Sequence, residues 1–61
     1  MEYTKKIVYQ SNYWYNDGLR KAKIRDMSGA IMSLRKSLQF NRENIAARNL
    51  LGLVYYGIGE V

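Results

Sequence analysis

One stretch decides the fold of this chain, Trp14-Tyr15-Asn16-Asp17-Gly18, and a second stretch, Leu50-Leu51-Gly52, repeats its final glycine 34 residues later. Both glycines stand inside apolar patterns of helical period. A glycine inside a helix costs about 1 kcal/mol relative to alanine, so the two positions suggest a shared steric cause. A fixed period of about 20–50 residues is typical of stacked-repeat proteins. We therefore expect both glycines to lie where another helix comes close.

Apolar residues follow a helical period in three blocks, which predict helices at residues 3–24, 27–40 and 44–58. Asp26 is expected to cap the second helix, since its carboxylate can accept from free backbone N–H groups. The Asn41–Asn44 segment is rich in turn-forming residues and predicts the second break. Both connections are short, so consecutive helices should be antiparallel neighbours. The predicted fold class is all-α, an antiparallel array of about three helices.

The order of large and small residues resembles the tetratricopeptide repeat, a helix pair with a Trp, Leu-Gly, Tyr, Ala and Phe pattern. The first copy carries Trp14, Gly18, Asp26, Ala30, Ile31, Leu34, Lys36 and Leu38, and the second carries Leu51, Gly52, Tyr55 and a turn glycine, Gly59. The resemblance implies a helical-repeat solenoid. It divides the chain into a helical extension at 1–10, a first repeat at 11–44 and the first helix of a second repeat at 45–61.

Several residues depart from that pattern, namely Asp17, Lys21, Ser37, Arg42 and Arg48, where the family usually has Leu, Tyr, Ala, Pro and Trp. Asp17 precedes Lys21 by four residues, so the two can form an ion pair along one helix. Terminal repeats need a polar outer face for solubility. We interpret residues 11–44 as an N-terminal capping repeat, and the alternative is an ordinary surface pair.

The resemblance also implies a function, because stacked helix pairs bind partners on a concave face lined by the first helix of each repeat. The residues that would line it are Asn12, Tyr15, Asn16, Leu19, Lys23, Asn49, Leu53 and Tyr56. Tyrosine and asparagine supply contact area and adaptable hydrogen bonds. The family's carboxylate-clamp members use Lys and Asn where this chain has Tyr15 and Leu19, which disfavours binding of chaperone tails. The prediction is a module that binds a protein or peptide, and the alternative is a solvated helix face.

The third block is apolar nearly all round, which is typical of a helix with partners on more than one side. In the tetratricopeptide family about 17 more residues would close the second repeat. The chain is therefore expected to be a piece of a longer protein. In this form it is expected to be a homo-oligomer, associating through Leu50, Leu51, Val54, Tyr55 and Ile58.

Composition bounds the chemistry, since the 61 residues include no cysteine and no histidine. Thiolate and imidazole, the common metal ligands, are therefore missing, as is the commonest general base. The five carboxylates are scattered, and the serines have no base nearby in sequence. We predict no catalysis, no cofactor and no metal. Without cysteine, an export signal or a long apolar run, the predicted location is the cytoplasm, with no membrane span.

A net charge of +5 leaves a second function open, a nucleic-acid-binding or other anion-binding module. Its sharpest feature is the basic cluster Arg20, Lys21, Lys23 and Arg25. Cations near the end of a helix also stabilise its dipole, which is the competing explanation. Aromatic residues interleave with bases around Trp14, but we expect that residue to pack in the core against the second helix, near Ala30 and Leu34.

Overall fold

A computed structural model of the chain describes the backbone of residues 2–60 and the side chains of residues 5–59. It contains three helices, α1 (Glu2–Lys23), α2 (Met27–Phe40) and α3 (Ile45–Glu60), and no strand among the described residues. The predicted all-α class and both breaks are confirmed. The third helix continues through Gly59, so the predicted turn at that glycine is wrong.

The first turn is built by the end of α1. The amide of Asp26 donates to the carbonyl of Lys21 at 2.8 Å, and the amide of Arg25 donates to the carbonyl of Ala22 at 3.1 Å. This pair of bonds is the Schellman arrangement, which requires a left-handed residue directly after the helix. Arg25 takes that conformation, with φ of 66°. The chain therefore reverses within three residues.

Side chains at the two turns satisfy the free amides that begin the next helices. The Asp26 carboxylate accepts from the Gly29 amide at 3.0 Å, which confirms the predicted N-cap of α2. At α3, the Asn44 side-chain oxygen accepts in the same way from the Ala47 amide at 3.1 Å. Each short turn thus starts a helix as well as ending one.

Successive helices run antiparallel, as the sequence predicts. Ser11 of α1 bonds Ser37, near the end of α2, whereas Asp17 bonds Ser33, one turn earlier in α2. Asn44, just before α3, lies near Ser37 at 3.5 Å. At the other end of the molecule, α2 and α3 line one cleft through their first and last turns. Both α1 and α3 pack on α2 and touch each other only slightly.

The two repeat-spaced glycines differ in environment. A Cβ on Gly18 would lie 2.7 Å from Cγ of Leu34 and 3.3 Å from the carbonyl oxygen of Ala30. Gly18 therefore lies at a close approach of α1 and α2, as predicted. A Cβ on Gly52 would meet nothing within 4 Å. The same prediction is wrong for Gly52, because that side of α3 points away from α2.

The core is small, and its buried apolar members belong to α2 and α3. Its fully apolar members are Ala30, Leu34, Ala47 and Val54, and partly buried residues surround them, namely Tyr15, Ala22, Met27, Ile31, Leu38, Leu50 and Leu51. Buried serines complete the interior on the α1 side. The interior therefore combines a small apolar centre with hydrogen bonds between helices.

Trp14 is not part of the core, which corrects the prediction that it packs near Ala30 and Leu34. The residue is half-buried. The Lys36 ammonium lies 4.4 Å from the centre of its ring, and the Tyr13 ring meets it edge-on at 5.2 Å. α1 presents its smaller residues to α2 at the closest contact, so the indole lies at the edge of the interface.

Candidate binding surface

A buried polar junction joins all three helices. The Ser11 hydroxyl donates to the Ser37 carbonyl at 2.9 Å, and the Ser37 hydroxyl donates back to the Ser11 carbonyl at 2.7 Å. The side-chain amide of Asn44 donates to the Ser11 hydroxyl at 2.9 Å and to the Asn12 side-chain oxygen at 3.2 Å. The junction therefore fixes the start of α3 beside the middle of α1.

The sequence patterns did not predict this junction, although a signal for it exists. Ser33 and Ser37 recur with Ala30 and Leu34 at spacings of three and four, so all four lie on one side of α2. All four are buried. Small polar residues on an otherwise apolar stripe indicate a close helix contact with hydrogen bonds across it.

The buried polar junction fixes how the predicted binding residues of α1 are aligned along the molecule with those of α3. α1 and α3 run in the same direction, since each is antiparallel to α2, and Asn12 meets Asn44 at their common level. From that level onward, α1 and α3 point the same way along α2. Along α1, one side carries Asn12, Asn16, Leu19 and Lys23, and along α3, one side carries Asn49, Leu53 and Tyr56.

The eight predicted binding residues are unequally accessible. Leu53 and Tyr56 are 66% and 67% exposed, and Asn12, Asn16, Lys23 and Asn49 are exposed as well. Tyr15 and Leu19 are half-buried, and Tyr15 packs against the core. We call the accessible part of this set, together with Leu19, the α1/α3 face. It combines large apolar groups on α3 with amides and one cation on α1.

The predicted self-association residues divide into two groups. Val54 is 4% exposed and belongs to the core, and Leu50 and Leu51 pack against it. Tyr55 and Ile58 are 50% and 45% exposed. The expectation that Val54 is accessible is wrong, because α3 turns that side towards α2. The exposed apolar groups of α3 lie on its other sides.

The basic cluster at the end of α1 is partly neutralised within the molecule. Asp17 accepts from Lys21 at 2.8 Å, from Arg20 at 2.8 Å and from the Ser33 hydroxyl at 2.6 Å. The predicted Asp17–Lys21 pair is therefore present. Because the Asp17 side chain is only 16% exposed and contacts α2, the expectation that it faces water is wrong. The hydrogen bonds from Lys21, Ser33 and Arg20 hold the pKa of Asp17 well below its usual range.

Comparisons with protein-family models, with curated proteins and with solved structures found no match. Within the described residues, no helix combines the length and the apolar character that crossing a bilayer requires. The assignment of a function therefore depends on the accessible side chains and their arrangement.

Proposed function

We propose that this chain is a protein-interaction module of tetratricopeptide type, which binds a peptide or helix of a partner protein along the α1/α3 face. The observation that carries the proposal is the exposure of Leu53 and Tyr56 on α3, at 66% and 67%, together with the exposed Asn12 and Asn16 on α1. Large apolar groups beside polar ones are typical of protein-binding surfaces. The proposed role is non-catalytic.

The chemistry of the face defines the kind of partner. Leu53 and Tyr56 favour apolar side chains of the partner, and the Asn16 amide can both donate to and accept from its backbone. Lys23 favours an acidic residue at the end of the face next to the α1–α2 turn. We therefore expect an extended or helical segment with apolar anchors and an acidic residue beyond them.

The alternative function, anion or nucleic-acid binding, is less well supported. Of the four cations in the basic cluster, Arg20 and Lys21 are bonded to Asp17. Lys36 lies over the Trp14 ring. Salt separates the two functions, because phosphate contacts make affinity fall steeply as salt rises, whereas apolar anchoring does not.

A peptide selection tests the proposal even though the partner protein is unidentified. A random peptide library displayed on phage is selected on the immobilised 61-residue chain, and the strongest peptide is titrated calorimetrically. Replacing one exposed leucine anchor removes about 1.5–3 kcal/mol of apolar burial. Leu53→Ser should therefore raise the Kd at least about tenfold.

The matched control is Met32→Ser, because Met32 is 74% exposed on α2 and lies outside the α1/α3 face. This variant should bind the selected peptide as the parent does. Amide chemical shifts should move mainly at Asn16, Leu19, Leu53 and Tyr56. A peptide that binds Leu53→Ser unchanged, or shifts that map to α2, would contradict the proposal. Failure of the library to yield any binder would also count against it.

A further inference from the structure

The outer side of α3, opposite the core, is a second surface, which adjoins the α1/α3 face and shares Tyr56 with it. Ile45, Gly52 and Gly59 recur every seven residues, so they lie on one side of the helix. Ile45 is 69% exposed, and a Cβ on either glycine would meet nothing within 4 Å. Tyr56 lies at the border between this side and the α1/α3 face. We call this surface the glycine side of α3.

We propose that two copies of this chain associate through the glycine side, with their α3 helices antiparallel about a twofold axis at Gly52. This arrangement goes beyond the proposed function and does not depend on it. Its basis is that the surface is self-complementary. Ile45 and Gly59 each lie seven residues from Gly52, so the axis places Ile45 opposite Gly59 of the partner subunit. A bulky side chain thus meets an open site, about 10 Å from the axis on each side.

The same symmetry pairs the flanking residues. Arg48 and Tyr56 each lie four residues from Gly52, so the Arg48 guanidinium comes opposite the ring of Tyr56 of the partner subunit. A guanidinium over an aromatic face is attractive. Two glycines facing each other at the axis let the helix backbones approach closely. Two like charges facing each other would oppose this arrangement. No such pair occurs among the paired residues Ile45, Arg48, Gly52, Tyr56 and Gly59.

Charge favours a second copy over an acidic partner at this surface. The chain carries ten Lys and Arg residues, and Arg48 is the one that lies within α3. The charge of +5 is therefore mainly on α1, α2 and the turns. Two copies can meet along α3 with their charged parts apart, and the remaining repulsion is screened by salt. We expect the dimer to tighten modestly as salt rises, opposite to nucleic-acid binding.

A single pair of helices falls at the small end of specific interfaces, so the dimer should be weak and reversible. Sedimentation equilibrium from about 10 µM to about 1 mM covers the corresponding affinities. The apparent mass of the parent should rise from 7.2 kDa towards twice that value. Gly52→Leu should weaken association at least about tenfold, since the added side chain separates the helices.

This variant is a clean test because a Cβ at Gly52 would meet no neighbouring group within 4 Å in the single chain. Its helix content, measured by circular dichroism, should be at least that of the parent. Met32→Leu, at an equally exposed site on α2, should dimerise as the parent does. A parent that stays monomeric at 1 mM, or a Gly52→Leu chain that associates as tightly, would overturn the proposal.

Disulfide trapping tests the antiparallel order, because the chain has no native cysteine. An equimolar mixture of Ile45→Cys and Gly59→Cys chains should cross-link to each other under mild oxidation, and far faster than either chain cross-links alone. Cross-linking of each chain with itself, without the mixed product, would indicate a parallel pair and reject the arrangement. Peptide binding by Gly52→Leu separates this result from the proposed function, since Leu53 and Asn16 are unchanged.

Discussion

Gly18 in α1 and Gly52 in α3 lie 34 residues apart, yet one is enclosed and the other is open. At Gly18, the side chain of Leu34 fills the space that a Cβ would need. At Gly52, that space is empty within 4 Å. The difference teaches that a regular interval between two glycines does not show that each lies against another helix. The partner of Gly18 is supplied by α2, and we propose a second copy of the chain for Gly52.

The largest expected effect comes from making the same substitution at both glycines. Gly18→Leu should destabilise the chain by about 2–3 kcal/mol, because Leu34 is fully buried and cannot move aside. Gly52→Leu should instead stabilise it by about 0.8–1 kcal/mol, the difference in helix propensity. Urea unfolding at low micromolar concentration, below the range proposed for dimerisation, measures both. Equal changes in unfolding free energy at the two sites would contradict the difference in packing between Gly18 and Gly52.

The next largest effect is expected at the hydrogen-bonded part of the α1–α2 contact, where Ser11 meets Ser37. Ser37→Ala removes the hydroxyl that donates to the Ser11 carbonyl across the helix contact and deprives the Ser11 hydroxyl of a neighbour, and it should cost about 1–2 kcal/mol. Adding Ser11→Ala should cost less than the sum of the single changes, because the two residues are partners. Ser28→Ala, at an exposed position of α2, is the control and should stay within about 0.5 kcal/mol of the parent. An additive double variant would indicate that the serines act independently.

Replacing Trp14 tests whether the tightly packed contact around Gly18 extends as far as the indole ring. Because the indole is half-buried, Trp14→Ala should lower the free energy of unfolding by about 1–2 kcal/mol. Truncating an aromatic residue in a core usually costs about 3–5 kcal/mol. Lys36→Met should cost about 0.5–1 kcal/mol, because it removes the cation over the ring. Thermal unfolding measures both changes. A loss above about 3 kcal/mol for Trp14→Ala would place the ring in the core after all.

The smallest effect concerns Asp17, whose counterpart 34 residues later is Leu51. Since the folded-state pKa of Asp17 lies below its ordinary value of 3.8, its stabilisation is fully present above pH 4. It is lost as the pH falls below that value and the carboxylate is protonated. Ion pairs with exposed partners contribute about 0.2–1 kcal/mol. Asp17→Asn should therefore show a weaker loss of stability between pH 5 and about pH 2 than the parent. Identical pH profiles would exclude this role.

Much of the backbone follows from the sequence. The three helices, both turns and the Asp26 cap arise from local signals, namely apolar period and capping chemistry. Gly18 was also predictable, because a glycine inside an apolar helical pattern needs a steric reason.

The orientation of α3 could not be predicted in the same way. An apolar pattern that continues nearly all round a helix does not say which side is buried, so Val54 was expected outside and Gly52 inside. Trp14 was misplaced because size and hydrophobicity favour burial, whereas the smallest residues occupy the closest helix contact. The Ser11–Ser37 bonds join positions 26 residues apart. The small residues of α2 indicate a close helix contact, but nothing local identifies Ser11 as the partner. The face residues could be grouped by helical spacing, but their exposure depends on how α1 and α3 pack on α2.

Asp26 has a consequence for the motions of the molecule. Its amide bonds the end of α1, while its carboxylate and its carbonyl bond the Gly29 and Ala30 amides of α2. Fraying of α1 at its end and of α2 at its start therefore share one opening event. In native-state hydrogen exchange, the amides of Asp26, Gly29 and Ala30 should exchange with one common opening free energy. The turn between the helices then behaves as a single cooperative unit, in which neither helix can loosen without the other.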